Sequence, residues 1–257
     1  MSVLTSRDNP RVKRWAKLAQ DARYRRAEKR ALIEGPHLLA AALEHGCKLL
    51  SIFATEDGAA SAEIGALIRR SGLRPVLLSK GLFRSVVDAE TPAGVAAEIG
   101  IPEPQKDATS RIVFLEGVQD PSNVGAIIRS AAAFSVERVV LDQGCADAWS
   151  PKALRAGMGG HFALEVHEAA RLSEEIELFK GTLACAVPRG GVPLAQAPLN
   201  GSVGWVFGAE GRGLSEETLG RASVRVTIPM APGGAESLNV AAAAAICLYE
   251  TSRKIGL

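Results

Sequence analysis

Residues 111–116, Arg-Ile-Val-Phe-Leu-Glu, and residues 203–207, Val-Gly-Trp-Val-Phe, are short apolar runs without polar alternation. A strand that is apolar on both faces belongs in a sheet covered on both sides, and such sheets are parallel. Between and after these runs the pattern changes period. Helices are expected over 123–135, 151–157, 215–220 and 239–253, and further strands over 138–142, 182–187 and 224–228. Strand and helix in alternation define an α/β fold built on a parallel sheet.

The first hundred residues carry a smaller version of the same alternation. A basic helix is expected over 11–31, with Val12, Trp15, Leu18 and Ala19 as its apolar stripe. Strands are expected over 32–36, 49–54, 75–78 and 94–99, and helices over 37–45 and 62–71. Residues 101–110, Ile-Pro-Glu-Pro-Gln-Lys-Asp-Ala-Thr-Ser, contain two prolines and no periodicity, and read as a linker. The expected organisation is therefore a small N-terminal α/β domain over 1–100, a linker over 101–110 and a larger domain over 111–257.

Charge is distributed unevenly. Residues 1–30 hold ten Lys/Arg against three Asp/Glu, a net of +7, which leaves −5 for the rest of a chain whose total is +2. A basic end on an acidic body suits a phosphate-rich partner, and a solvated helix face would have the same composition. Cys47, Cys145, Cys185 and Cys247 show no C-x-x-C or metal-ligand spacing, so reduced thiols and no metal are expected. Residues 2–14 contain no apolar signal region, and the longest apolar stretch, 238–249, is too short to span a bilayer. A cytoplasmic protein without membrane contact is expected.

Ligands of open parallel sheets bind in loops beyond the carboxyl ends of the strands. Here those loops are 117–124, 208–214 and 229–238. In the first, Asn123 is placed to cap or orient, and Gly125 permits close backbone approach. Arg129 follows six residues later, where helical register can return it to the same mouth. An ordinary strand–turn–helix with an Asn cap and a surface Arg reads equally well. The second loop has glycines at 208, 211 and 213 around Glu210, and is neither a P-loop nor a dinucleotide fingerprint. A glycine turn without a ligand remains open there. In the third, Ser237 and Asn239 stand at the mouth of a long helix, where capping alone would also explain them.

Taken in order, these loops resemble the three signature motifs of the SpoU (TrmH-like) RNA 2′-O-methyltransferases. Residues 123–134, Asn-Val-Gly-Ala-Ile-Ile-Arg-Ser-Ala-Ala-Ala-Phe, resemble the first motif. Residues 206–214, Val-Phe-Gly-Ala-Glu-Gly-Arg-Gly-Leu, resemble the second. Ile228-Pro-Met and Ser237-Leu-Asn-Val resemble the third, and Leu32-Ile-Glu-Gly-Pro-His-Leu-Leu is similar to the family's substrate-binding domain. The chain departs from the pattern in three places. The stretch from Met230 to Ser237 is one residue longer, Ser135 stands where Gly is common, and Ala241 where Ser is common.

The resemblance implies a deep trefoil knot in the C-terminal domain and S-adenosylmethionine held at Gly208, Ile228 and Leu238. It implies that Arg129 is catalytic, with Asn123, Glu210, Ser237 and Asn239 shaping the site. No metal is implied. The partners implied are RNA, with rRNA favoured over tRNA because of the separate N-terminal domain, and a second copy of the chain across a helix over 241–248. An arginine with a pKa above about 12 is a poor base. Arg129 is therefore expected to act with an RNA phosphate or to stabilise a developing alkoxide, with direct deprotonation as the alternative. Two other functions fit the same fold, a tRNA methyltransferase and a non-catalytic RNA-binding assembly factor.

Overall fold

The computed structural model describes residues 3–103, 110–231, 233–254 and 256. In chain order the elements begin with α1 (Pro10–Gln20), α2 (Ala22–Glu28), β1 (Arg30–Glu34), α3 (Pro36–Glu44), β2 (Leu49–Ala54) and α4 (Glu56–Ala60). They continue with α5 (Ala62–Ser71), β3 (Val76–Leu77), α6 (Lys80–Val86), β4 (Val95–Gly100), β5 (Arg111–Glu116) and α7 (Pro121–Ala133). Next come β6 (Arg138–Leu141), α8 (Pro151–Gly157), α9 (Gly160–Ala163), β7 (Glu165–Glu168), α10 (Leu172–Leu178) and β8 (Thr182–Ala186). The last are β9 (Val192–Pro193), β10 (Val203–Gly208), α11 (Glu216–Arg221), β11 (Val224–Thr227) and α12 (Val240–Lys254).

The chain divides into two compact units, Met1–Glu103 with Trp149–Phe162, and Pro104–Ala148 with Ala163–Leu257. Most of the expected linker, residues 104–109, lies outside the described residues. Helix α8, which follows β6 in the chain, belongs to the first unit, where Arg155 pairs with Asp88 at 2.6 Å and Glu34 at 3.8 Å.

The first unit is a four-stranded sheet of order β1-β4-β2-β3, with β4 antiparallel to both neighbours. The stripe Val12, Trp15, Leu18 and Ala19 is buried as its spacing predicts, and Trp15 stacks on Phe53 at 4.1 Å. The single helix expected over 11–31 is broken into two. Asp21 adopts an extended conformation, and its carboxylate accepts the N–H groups of Arg23 (2.9 Å) and Tyr24 (3.1 Å), capping α2. Not all of the basic run faces solvent. Arg25 is buried and donates to the Leu18 carbonyl at 2.6 Å. Arg14 (2.8 Å) and Arg30 (2.6 Å) both bind Glu98, a fully buried carboxylate that also accepts from Trp15 Nε1 at 3.0 Å.

The second unit is a seven-stranded sheet of order β7-β6-β5-β10-β8-β11-β9, parallel throughout. Its central strands are buried along their length, as their apolar runs require. Helix α7 starts earlier than expected. Asp120, followed by Pro121, is its N-cap, which leaves Asn123 inside the first turn with its side chain free for other work. The helix ends in a Schellman motif, with Val136 N–H to Ala131 C=O at 2.9 Å and Ser135 N–H to Ala132 C=O at 3.3 Å. Ser135 takes a left-handed φ of 55°, the physical reason that glycine suits this position. Strands β7 and β9 and helix α10 were not expected. The edge strand β7 buries only Val166 among Glu165, His167 and Glu168, so it carries almost no apolar signal.

Candidate active site

The loops beyond the carboxyl ends of β5, β6, β8, β10 and β11 enclose two cavities that share the segment 209–214 as a common wall. One, of about 590 Å³, is lined by Phe207, Gly208, Ile228, Met230, Ser237 and Leu238, with the 187–190 loop beside them. The other, of about 660 Å³, is lined by residues 116–120, Asn123, Asp142, Gly144 and the shared wall through Ser215.

Glycine is required where the shared wall begins. A Cβ on Gly208 would lie 2.4 Å from the Gly213 carbonyl carbon and 2.7 Å from Leu214 N. Without one, the loop closes on itself through Gly213 N–H to Ala209 C=O at 2.9 Å, with Gly213 at a φ of 68°.

Asn123, Glu210 and Asn239 meet. Glu210 Oε1 accepts Asn123 Nδ2 at 2.7 Å and Asn239 Nδ2 at 2.9 Å, and Asn239 Nδ2 also lies 3.0 Å from Asn123 Oδ1. The other end of the Asn239 amide caps α12, its Oδ1 accepting Ala241 N–H (2.9 Å) and Ala242 N–H (3.2 Å). One side chain therefore both caps the helix and bonds to Glu210 and Asn123. Of the remaining expected residues, Gly208, Ile228, Ser237 and Leu238 line the smaller cavity together. Arg129 does not join them. It is exposed on α7 and lines neither cavity.

Several lining residues escaped the sequence reading. Glu116 Oε2 accepts Ser215 N–H at 3.2 Å, and Asp142 Oδ1 accepts Gly117 N–H at 3.0 Å, so both brace loops. Their signal was position, since each sits at the carboxyl end of a strand of the parallel sheet. Cys145, next in the chain to the lining residue Gly144, is buried with Sγ 3.3 Å from the Leu115 carbonyl. Burial, with the Asp142 carboxylate, pushes its thiol up to about 12, which removes it as a nucleophile. Among the described residues no group of His, Cys, Asp and Glu could hold a metal ion, and no helix is long and apolar enough to cross a membrane.

Two clefts on one glycine-built wall, at the carboxyl edge of a parallel sheet, define an α/β protein with the site of a small-molecule-dependent enzyme. Residues 110–249 match the SpoU rRNA Methylase family, and residues 9–97 match the MRM3-like substrate binding domain. The chain belongs to the SpoU rRNA methylase family. It is 31% identical over 251 residues, 97% of this chain and 98% of the relative, to 23S rRNA (guanosine(2553)-2'-O)-methyltransferase RlmP of Bacillus subtilis (strain 168). It is also similar to a solved RNA 2'-O ribose methyltransferase, with 30% identity, a TM-score of 0.82 and 98% and 99% of the two chains covered. AviRb of Streptomyces viridochromogenes, solved with AdoMet, shares the fold at a TM-score of 0.88 and 24% identity, over 96% of this chain and 98% of that one. The protein is an S-adenosylmethionine-dependent RNA methyltransferase acting on ribose 2′-hydroxyls. The smaller cavity fits that cofactor. Its volume is within the roughly 300–1,000 Å³ of small-molecule sites, and Phe207, Ile228 and Leu238 give it apolar walls beside the open backbone of Gly208.

Proposed function

We propose that the protein methylates a ribose 2′-hydroxyl of ribosomal RNA in the cytoplasm, working as a homodimer. The observation that carries this reading is the Asn123–Glu210–Asn239 junction, which joins all three loops at the wall between the two cavities. Gly208, Ile228 and Leu238 hold the cofactor in the smaller cavity, and the acceptor nucleotide approaches from the larger. The same reading gives the C-terminal segment a trefoil-knotted path.

When bound, S-adenosylmethionine supplies an electrophilic methyl on a sulfonium centre. The chain's own part is positioning, which contributes up to roughly 7–11 kcal/mol when reactants are well oriented. Glu210 and the two asparagine amides keep the shared wall in one place, and Ser237 offers a hydroxyl at the mouth of the cofactor cavity. The Arg129 guanidinium, a donor without an acceptor, aligns a phosphate of the RNA or stabilises the developing alkoxide. Exposed Ile246 and Tyr249 form the dimer face on α12, and Tyr249 packs on Phe134 at 5.8 Å. A dimer joined there brings Arg129, on the helix preceding Phe134, into the assembled site. Exposed Arg11, Lys13, Lys17 and Arg23 of the first unit meet RNA phosphates.

The test is transfer of labelled methyl from S-adenosylmethionine to ribosomal RNA from cells lacking the gene, with nucleotide-resolution mapping of 2′-O-methyl groups. Arg129→Ala is expected to lose about 10²–10³-fold in rate while binding the cofactor as before in calorimetry. Transfer to tRNA alone, or none to any RNA, overturns the reading.

A further inference from the structure

The larger cavity contains none of the cofactor-holding residues Gly208, Ile228 and Leu238, yet it shares the 209–214 wall with their cavity and includes Asn123 and Glu210. At about 660 Å³ it has room for a nucleoside. Its lining is unlike that of a phosphate site. Glu116, Asp120, Asp142 and Glu210 face the single guanidinium of Arg212, so an anion is repelled and a neutral group rich in N–H donors is accepted.

Asp142 differs from the other three carboxylates in how it is held and reached. It is half-buried, and Oδ1 is fixed by Gly117 N–H at 3.0 Å, which sets the plane of the carboxylate. The residue beside it is Gly144, where a Cβ would sit 3.3 Å from Oδ1 and 3.4 Å from Oδ2. Glycine at 144 therefore leaves the carboxylate edge open to the cavity. A carboxylate presents two acceptors side by side, and each oxygen has lone pairs for more than one donor. Among the four bases, guanine alone presents two adjacent N–H donors on one edge, N1–H and the 2-amino group. Adenine and cytosine place an acceptor nitrogen beside their amine, and uracil flanks its single N–H with carbonyls.

We propose that this cavity takes the base of the acceptor nucleotide and that Asp142 selects guanine through that paired edge. The inference rests on the proposed methylation of ribosomal RNA and adds the base and the residue that reads it. Glu210 and Asn123, at the boundary of the two cavities, then stand where the ribose must lie, between a base held at Asp142 and the methyl donor.

The test begins by mapping the nucleotide that the wild-type protein methylates in ribosomal RNA, which is expected to be a guanosine. Transcripts carrying guanosine or inosine at that position are then compared, because inosine lacks only the 2-amino group. The wild-type protein is expected to lose about 10- to 100-fold in kcat/KM on inosine, the worth of a hydrogen bond to a charged group. Asp142→Asn keeps an oxygen for Gly117 N–H but replaces the other with a donor. It is expected to lose a similar factor on guanosine, to show no further loss on inosine, and to bind S-adenosylmethionine unchanged. Should that variant lose cofactor binding as well, Gly144→Ala crowds the Asp142 carboxylate edge without removing the carboxylate and carries the same comparison. A mapped nucleotide other than guanosine, or an inosine penalty that survives in the variant, overturns the inference while leaving ribose methylation intact. Failure of the wild-type protein to methylate any ribosomal RNA removes the underlying reading and this one with it.

Discussion

Asn239 Nδ2 donates to Glu210 Oε1 at 2.9 Å, joining the start of α12 to the wall between the two cavities. Because the opposite end of the same amide caps the helix, the orientation of Asn239 is fixed from two sides. Asn239→Asp retains the cap but sets a second carboxylate against Glu210. It is expected to lower kcat by about 10²-fold, the usual effect of misplacing a site by an ångström. Asn239→Ala removes both the α12 cap and the bond to Glu210 but adds no repulsion at the wall, and is expected to cost less in kcat. Single-turnover methyl transfer measures both, and equal rates for the two variants would contradict the arrangement.

Ser135 at φ 55° occupies the αL position of the Schellman motif that ends α7. A non-glycine residue pays roughly 1–2 kcal/mol in that conformation, and glycine gives back roughly 0.4–1 kcal/mol through its freer unfolded chain. Ser135→Gly is therefore expected to stabilise the second unit by up to about 1 kcal/mol. Denaturant unfolding checks this, and a lower midpoint would show that the serine hydroxyl matters more than the backbone.

Glu98 makes the first unit sensitive to acid. Burial pushes its carboxyl up, but the hydrogen bonds from Arg30 and Trp15 and the charge of Arg14 outweigh burial and hold it below the ordinary value of 4.5. The unfolded chain thus binds the proton more tightly than the folded one. The stabilising contribution is complete above the ordinary glutamate range and is lost as pH falls through the lowered folded-state value. Glu98→Gln is expected to cost about 3 kcal/mol at pH 7, the low end for a buried pair, because both guanidiniums are one-third exposed. Its deficit against wild type should shrink as pH drops below 4.5. A deficit independent of pH would mean that packing, not charge, explains the loss.

Ile246 and Tyr249 are 40% and 56% exposed on α12, an apolar pair on a helix whose other face packs on the second unit's core. Ile246→Asp with Tyr249→Ser is expected to shift the protein from dimer to monomer in analytical ultracentrifugation at micromolar concentration. Methyl transfer should fall with it if Arg129 enters the site only in the assembled dimer. A monomeric wild-type protein that is fully active would refute both parts.

Much of the architecture is legible in the sequence. The uninterrupted apolar runs of β5 and β10 declared a parallel sheet, and the stripe of Val12, Trp15, Leu18 and Ala19 declared the buried face of α1. The motif residues were likewise visible as residue types in order. The start of α7 was misplaced because Asp120 and Asn123 are both good caps, and only the backbone chooses between them. Strand β7 was missed because an edge strand needs to bury only one residue, Val166.

Periodicity and turn chemistry act over a few residues, and so a linear reading determines helices, strands and the loops that join them. Partners separated by many residues are another matter. That Arg25 would turn inward while Arg23 stays outside, that Glu98 would gather Arg14 and Arg30, and that Asn123 would meet Asn239 across 116 positions depend on where whole elements pack. Asp142 gives the clearest case. Its place at the end of a strand is all that the chain shows of it, and only the closing of Gly117 upon it and the missing side chain at Gly144 make it the open edge of a cavity.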